Sequence, residues 1–178
     1  MPQPVLVIVD VQDRLFTAMS ADRRDTMIAN VKILGGAARR LGVPIVLTEQ
    51  YPKGLGRTLP ELRALLGDLA PVEKTSFSCG AAGGFTERLR ALGAERAVLC
   101  GMEAHVCVLL TALDLLAAGV AVTVAADAVC SRTAARLELG VAQARQAGAV
   151  VSATETIVFQ WLGSSDHEAF REVSALLK

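Results

Sequence analysis

One phrase recurs along the 178 residues: a helical stretch, a glycine, then a short apolar run rich in β-branched residues. It reads 41-LG-42 before 43-VPIVL-47, 92-LG-93 before 97-AVLC-100, 118-AG-119 before 120-VAVTVA-125, and 147-AG-148 before 149-AVV-151. Glycine at such a point can take the left-handed conformation that ends a helix, and the chain then enters a strand. Two more runs, 5-VLVIV-9 and the short 71-PVEK-74, bring the strands to six. Apolar runs without alternation suit parallel strands covered by helices on both faces. Helical patterns fill the intervals at 22–41, 85–92, 106–118 and 132–147. Segments 153–162 and 166–177 read as terminal helices, with Ser165 or Asp166 as the cap of the last. The phrase therefore predicts an α/β fold, a three-layer α/β/α open doubly wound sheet of about six parallel strands, in a single domain over 1–178.

Composition narrows the partners. Apolar residues make up 52% and charged residues 20%, so the chain can bury a core without disulfides. Lys plus Arg and Asp plus Glu each number 18, which gives no electrostatic footprint for nucleic acid or an anionic membrane. From Val106 to Ala126 the only charge is Asp114, close to transmembrane length, but Gly119 divides the stretch into a buried helix and a buried strand. The four cysteines (Cys79, Cys100, Cys107, Cys130) form no CxxC pair, and two histidines support a zinc site poorly. With no signal-type segment at the start, the expectation is a cytoplasmic protein with free thiols.

Ligands of doubly wound sheets bind beyond the carboxyl ends of the strands. The residues placed there are Asp10, Thr48, Glu49, Lys74, the turn 101-GMEAHVC-107 and Asp127. Asp10 follows five apolar residues, where its charge needs a cation or donors; it could equally cap the turn 11-VQDRLF-16. Lys74 can supply a compact positive charge to a carboxylate and a thiolate, or simply snorkel to the surface. Cys107 opens the apolar helix 108–118, and backbone N–H groups there favour a thiolate; the alternative is a small buried hydrophobe, which suits Cys100 inside its strand. Cys79 and Cys130 lack so clear a helix start. His105, two residues before the thiol on the same tight turn, is poorly placed to be its base, and His167 lies in a polar C-terminal stretch. The glycines of 78-SCGAAGGF-85 fit neither GxxxxGK[ST] nor GxGxxG, so a flexible approach to a helix explains them better than a phosphate cradle. The stretch 51-YPKGLGRT-58 reads as a mobile loop that could lie over a pocket.

Asp10, Lys74 and Cys107, in that order, resemble the catalytic residues of the isochorismatase-like cysteine hydrolases. The similarity runs through 8-IVDVQDRLF-16, 48-TEQYPKGLG-56, 73-EKTSFS-78, 101-GMEAHVCV-108 and 127-DAVCSR-132, and is strongest to a branch whose members mostly lack an assigned substrate. The resemblance implies a six-stranded parallel sheet and a triad in which Asp10 accepts the thiol proton, Lys74 holds Asp10, and Cys107 attacks an electrophilic carbon. It also implies a cis peptide at Met102–Glu103, with the backbone N–H groups of Glu103 and Cys107 forming an oxyanion hole. Nicotinamidases of the same superfamily bind a metal through an aspartate and histidines after the second strand. Here 48-TEQYPKG-54 has no histidine, so no metal and no other cofactor is expected. An isochorismate dianion would call for arginines, and only Lys53 and Arg57 are candidates. Phe16, Tyr51 and Phe77 are expected as pocket walls, and Glu49 as a residue orienting substrate.

The resulting expectation is a metal-independent cysteine hydrolase of a small molecule, an amide or related acyl compound, acting as a homo-oligomer. Two rivals stand beside it: a peroxide-reducing thiol protein, and a binding or scaffold protein of the same fold.

Overall fold

The computed structural model describes residues 4–178. Strands β1 (Val5–Val9), β2 (Ile45–Gln50), β3 (Val72–Lys74), β4 (Arg96–Met102), β5 (Ala121–Cys130) and β6 (Val150–Ser152) form one parallel sheet in the order β3-β2-β1-β4-β5-β6. Between and after them run α1 (Asp13–Thr17), α2 (Ala21–Leu41), α3 (Pro52–Leu55), α4 (Pro60–Leu66), α5 (Gly83–Ala91), α6 (Leu109–Ala117), α7 (Ala134–Gln146), α8 (Thr154–Leu162) and α9 (Phe170–Ala175).

The unbroken apolar run of β1 explains the three layers. Its side chains alternate across the sheet. Leu6 and Ile8 join a core with Val31 and Leu34 of α2 and Ile157 and Val158 of α8. Val5, Val7 and Val9 join a second core with Phe85 of α5, Leu115 of α6 and Leu137 of α7. A side chain buried this completely stabilises the fold by roughly 1.5–3 kcal/mol, and Ile8→Ala would cost about 2–5 kcal/mol. Gly42, Gly93, Gly119 and Gly148, which announce strands in the sequence, all have positive φ (67°, 59°, 81° and 109°).

The chain winds outward from β1 to β2 and β3, then returns to place β4 on the other side of β1. That reversal opens a crevice beyond the carboxyl ends of β1 and β4, where such sheets bind ligands. Gly101 permits the close approach: its φ is 109°, and a Cβ there would lie 2.1 Å from the Val9 carbonyl oxygen.

Three boundaries differ from the sequence reading. β2 begins at Ile45 and continues through Thr48, Glu49 and Gln50, because these pair in register with Val72, Glu73 and Lys74 of β3. β5 runs on to Cys130 through an irregularity: Leu99 pairs with Val124, yet Gly101 pairs with Val129. Asp127 therefore lies within β5 and not at its end. The last helix is shorter than expected and its N-cap is Ala169, not Ser165 or Asp166. The Asp166 N–H instead donates to Ser164 Oγ in a separate turn (3.1 Å). The apolar stretch 106–126 divides into a turn, α6 and the start of β5, and among the described residues no helix is long and apolar enough to cross a membrane.

Candidate active site

At the end of β1, Asp10 is fully buried and has φ 50°, a backbone conformation strained for any residue with a side chain. Its carboxylate is met from both sides. Thr48 Oγ1 donates to Oδ1 at 2.6 Å and also accepts the Asp10 N–H at 3.3 Å. Lys74 Nζ, from the end of β3, donates to Oδ2 at 2.7 Å, and neither side chain of this ion pair has any solvent exposure. The same ammonium reaches Gln50 Oε1 (2.7 Å) and the carbonyls of Ser76 and Phe77 (3.1 Å each). Burial works against the Lys74 charge, but Asp10 and the neighbouring Cys79 and Cys107 more than offset it, so its pKa is raised.

Cys107 arrives from the switch point. After β4, the Met102–Glu103 peptide is cis, and residues Ala104–Val108 form a single π-helical turn that leads into α6. The Val106 and Val108 N–H groups both donate to the Glu103 carbonyl (3.1 Å each). Outside, Arg132 Nε donates to Glu103 Oε2 at 2.9 Å, and His105 Nδ1 lies 3.0 Å from Ser131 Oγ. Gly140 of α7 packs against this turn so closely that a Cβ would sit 2.7 Å from the Ala104 carbonyl oxygen and from the His105 backbone. The ring of His105 is engaged by Ser131, and its pKa is lowered, first by burial, with Arg132 and Arg136 adding to the effect against Glu103.

Cys107 as a residue is 5% exposed. Burial, reinforced by the charge of Asp10 and a hydrogen bond to it, pushes Cys107 up to about 12, with Lys74 pulling the other way. This corrects the expectation of a ready-made thiolate at a helix start. The turn is π-helical and buried, and burial is the largest cause of the rise, followed by the Asp10 charge. A buried thiol beside a carboxylate is an arrangement suited to proton transfer on demand.

Sequence reasoning set Cys79 aside and did not single out Gln50 or Gln12, yet all three belong to this cluster. Cys79 is fully buried with its Sγ 3.7 Å from Thr48 Oγ1, and burial raises its pKa to about 11. Its backbone N–H is held by Thr111 Oγ1 of α6 (2.9 Å). Gln50 links Lys74 to the Thr75 carbonyl (Nε2 to O, 2.8 Å). Gln12 accepts the Gln50 N–H (2.7 Å) and donates to the Gln50 and Gly56 carbonyls (3.0 and 2.6 Å). Both glutamines lie within segments that carry the family resemblance, 8-IVDVQDRLF-16 and 48-TEQYPKGLG-56, but nothing in those segments marked them as part of the site.

The remaining candidates are placed less centrally. Glu49 is buried, and its oxygens are already engaged by Thr58 N–H and Oγ1 (2.8 and 2.7 Å) and by Arg57 (2.9 Å). Burial opposes its charge, but those donors prevail and lower its pKa. Arg57 also bridges to Glu73. The stretch 51–58, expected to be a mobile loop, is fastened by these bonds, by Gln12 and by Arg14 Nη1 to the Gly54 carbonyl (2.7 Å). Phe16 is half-buried under Arg24, 5.5 Å from the ring centre. Tyr51 and Phe77 are exposed. Tyr51, Lys53, Lys74, Ser76 and Gly83 line a cavity of about 550 Å³ beside β3. A larger groove, about 1130 Å³, is lined by Val43, Arg96, Trp161 and His167 among others, and by none of the cluster. Asp127 is not part of the site: it accepts the Thr154 N–H (2.8 Å) and Thr154 Oγ1 (2.8 Å) at the start of α8. Among the described residues no three of His, Cys, Asp and Glu are gathered as a metal ion would require.

Comparison with known proteins agrees with this fold. The profile of the Isochorismatase domain matches residues 4–156. Isochorismatase domain-containing protein 2 of Bos taurus is 45% identical over 142 residues, covering 79% of this chain and 68% of that protein. The MAR1 ribonuclease of Caenorhabditis elegans superposes with a TM-score of 0.91 at 36% identity, covering 99% of this chain and 90% of the other. The YcaC gene product of Escherichia coli, described as an octameric hydrolase of unknown specificity, superposes at 0.88 with 23% identity, covering 99% and 85%.

Proposed function

The chain belongs to the isochorismatase-domain family, and from that premise we propose that it is a metal-independent cysteine hydrolase of a small amide or related acyl compound. The observation that carries the reading is the fully buried Lys74–Asp10 pair, with Cys107 near enough for the Asp10 charge to raise its pKa and the Lys74 charge to lower it. A buried ion pair is a poor source of stability, since desolvation consumes most of its attraction. Its use here is chemical.

Asp10 accepts the thiol proton as Cys107 Sγ bonds to the carbonyl carbon, and the C=O electron pair moves onto oxygen. The backbone N–H groups of Glu103 and Cys107 receive that oxyanion. On collapse the C–N bond breaks, and the amine leaves with the proton from Asp10. Water then attacks the thioester while Asp10 takes its proton, and the returning thiolate is reprotonated. Lys74 stays paired with Asp10 between steps and offsets the transient negative charge. Tyr51 and Phe77 contribute exposed apolar surface, while Phe16, within α1, packs against the core. Glu49 acts on substrate only through the loop it fastens.

The C. elegans neighbour bears the name of a ribonuclease. A small-molecule substrate suits this chain better, because its formal net charge is zero and Cys107 is a buried residue. Self-association belongs to the same reading, with exposed Leu110 and Leu113 on α6 and Leu139 on α7 offering apolar area for a second copy.

The test is a panel of small amides, esters and ureas incubated with the protein, followed by intact-mass analysis and amine release. A hit should give an acyl adduct located on Cys107 and turnover that Cys107→Ala abolishes. Turnover that survives Cys107→Ala would contradict the reading.

A further inference from the structure

Lys74 is the only cation in contact with Asp10 among the described residues, yet its ammonium has four acceptors for three N–H groups. Three of the four are neutral. Two are backbone carbonyls of the segment that follows β3, Ser76 and Phe77. The third is the side-chain oxygen of Gln50, 24 residues away on the neighbouring strand and 8% exposed. Gln50 is fixed at both ends. Its N–H is held by Gln12 Oε1 at 2.7 Å, and its own Nε2 is committed to the Thr75 carbonyl at 2.8 Å. That second bond determines which end of the amide faces Lys74, because a flipped amide would set NH₂ against the ammonium and carbonyl against carbonyl.

We propose that Gln50 is a positioning residue that aims Lys74 and keeps the charge around Cys107 balanced. This rests on the Asp10–Lys74–Cys107 reading given above. A neutral acceptor at 2.7 Å orients the ammonium without adding an anion, so Lys74 offsets a single carboxylate. Asp10 then leaves room for the one negative charge that must develop on sulfur. A carboxylate in place of Gln50 would take up the Lys74 charge and leave the cluster with one excess negative charge, disfavouring the thiolate. Gln50 thus acts on the nucleophile without touching it. The two-residue stretch Glu49–Gln50 divides the work: Glu49 takes Arg57 and Thr58 on the loop side, and Gln50 takes Lys74 on the site side.

The experiment measures the rate of Cys107 alkylation by iodoacetamide at pH 8.5, located by peptide mass spectrometry, together with the thermal midpoint of each variant. Gln50→Glu keeps the shape and adds the charge. It should slow alkylation about tenfold, the effect of a one-unit rise in thiol pKa from a nearby like charge. Gln50→Met keeps the length without charge or acceptor. It should change the rate less than twofold, and it should speed hydrogen exchange of the Lys74 ammonium, read by ¹⁵N NMR. Asp10→Asn is the control for the underlying site and should speed alkylation by removing the anion that holds the thiol protonated. If Asp10→Asn speeds alkylation while a folded Gln50→Glu matches the parent, the role of Gln50 is overturned and the triad stands. If Asp10→Asn leaves the rate unchanged, the triad itself fails. Equal slowing by Gln50→Glu and Gln50→Met, with equal losses in thermal midpoint, would mark Gln50 as merely structural. Should Gln50→Glu not fold, unchanged ammonium exchange in Gln50→Met overturns the proposal.

Discussion

Asp10 and Asp127 are two acids that follow apolar runs in the same sheet, and they have opposite fates. Asp127, in the irregular part of β5, spends its carboxylate on the Thr154 N–H and hydroxyl, while its carbonyl accepts Asn30 Nδ2 from α2 (2.9 Å). Its partners are backbone, hydroxyl and amide donors from two helices, so the residue ties α8 and α2 to the sheet. Asp10 is met by a hydroxyl, an ammonium and a thiol that come from three other strand ends. The difference lies in the partners: backbone and hydroxyl donors make an acid structural, whereas a lysine and a thiol make it reactive. The topology decides which occurs, because Asp10 sits at the switch point and Asp127 does not.

The sharpest way to break this comparison is to remove one partner of each acid. Lys74→Met leaves Asp10 buried without its cation, which should cost about 3–5 kcal/mol in urea denaturation and reduce hydrolysis at least ~10³-fold. A loss no larger than that of a surface lysine would show the pair to be incidental. Gly140→Ala comes next. Its methyl group would meet the Ala104 carbonyl and His105 backbone at 2.7 Å, so the turn must shift at a cost of about 1–3 kcal/mol. Cys107 reactivity should change several-fold with it, as measured by alkylation. On the structural side, Asp127→Ala should lower stability by about 1–2 kcal/mol through loss of the α8 cap, while leaving Cys107 alkylation at the parent rate. Altered alkylation there would erase the distinction between the two acids.

The smallest effect is with pH. Burial raises Cys79 to about 11 and Cys107 to about 12, against ~8.5 in the unfolded chain. Stability contributed by these protonated thiols is present in full below ~8.5 and declines as pH rises toward 11 and 12. Denaturation midpoints should therefore fall gradually on the alkaline side, and Cys107→Ser should make that fall shallower. A flat profile up to pH 10.5 would mean that the thiols ionise freely in the folded protein.

Much of this layout was legible in the sequence. The glycine-to-strand phrase gave the strands, since left-handed glycines and continuous apolar runs are local features. Asp10, Lys74 and Cys107 stood out as polar residues at the ends of such runs. Other features were not local. The polar end of β2 is a strand only because β3 pairs with it, so Thr48–Gln50 looked like loop. Asp127 looked like a site acid because the extra residues in β5 that carry it past the β4 edge leave no signature in composition. Gln50 and Gln12 matter through partners 24 to 44 residues away, which no periodicity encodes. Even the state of Cys107 depended on depth of burial and the nearness of Asp10, not on its place before a helix.

The most direct measurement is the rate of Cys107 alkylation at pH 8.5 in the parent, Asp10→Asn and Lys74→Met proteins, with each modified cysteine located by mass spectrometry. Asp10 raises the thiol pKa and Lys74 lowers it, so the two substitutions should move the rate in opposite directions, faster without Asp10 and slower without Lys74, while both abolish hydrolysis. Rates that move together, or not at all, would contradict a thiol held between that carboxylate and that ammonium.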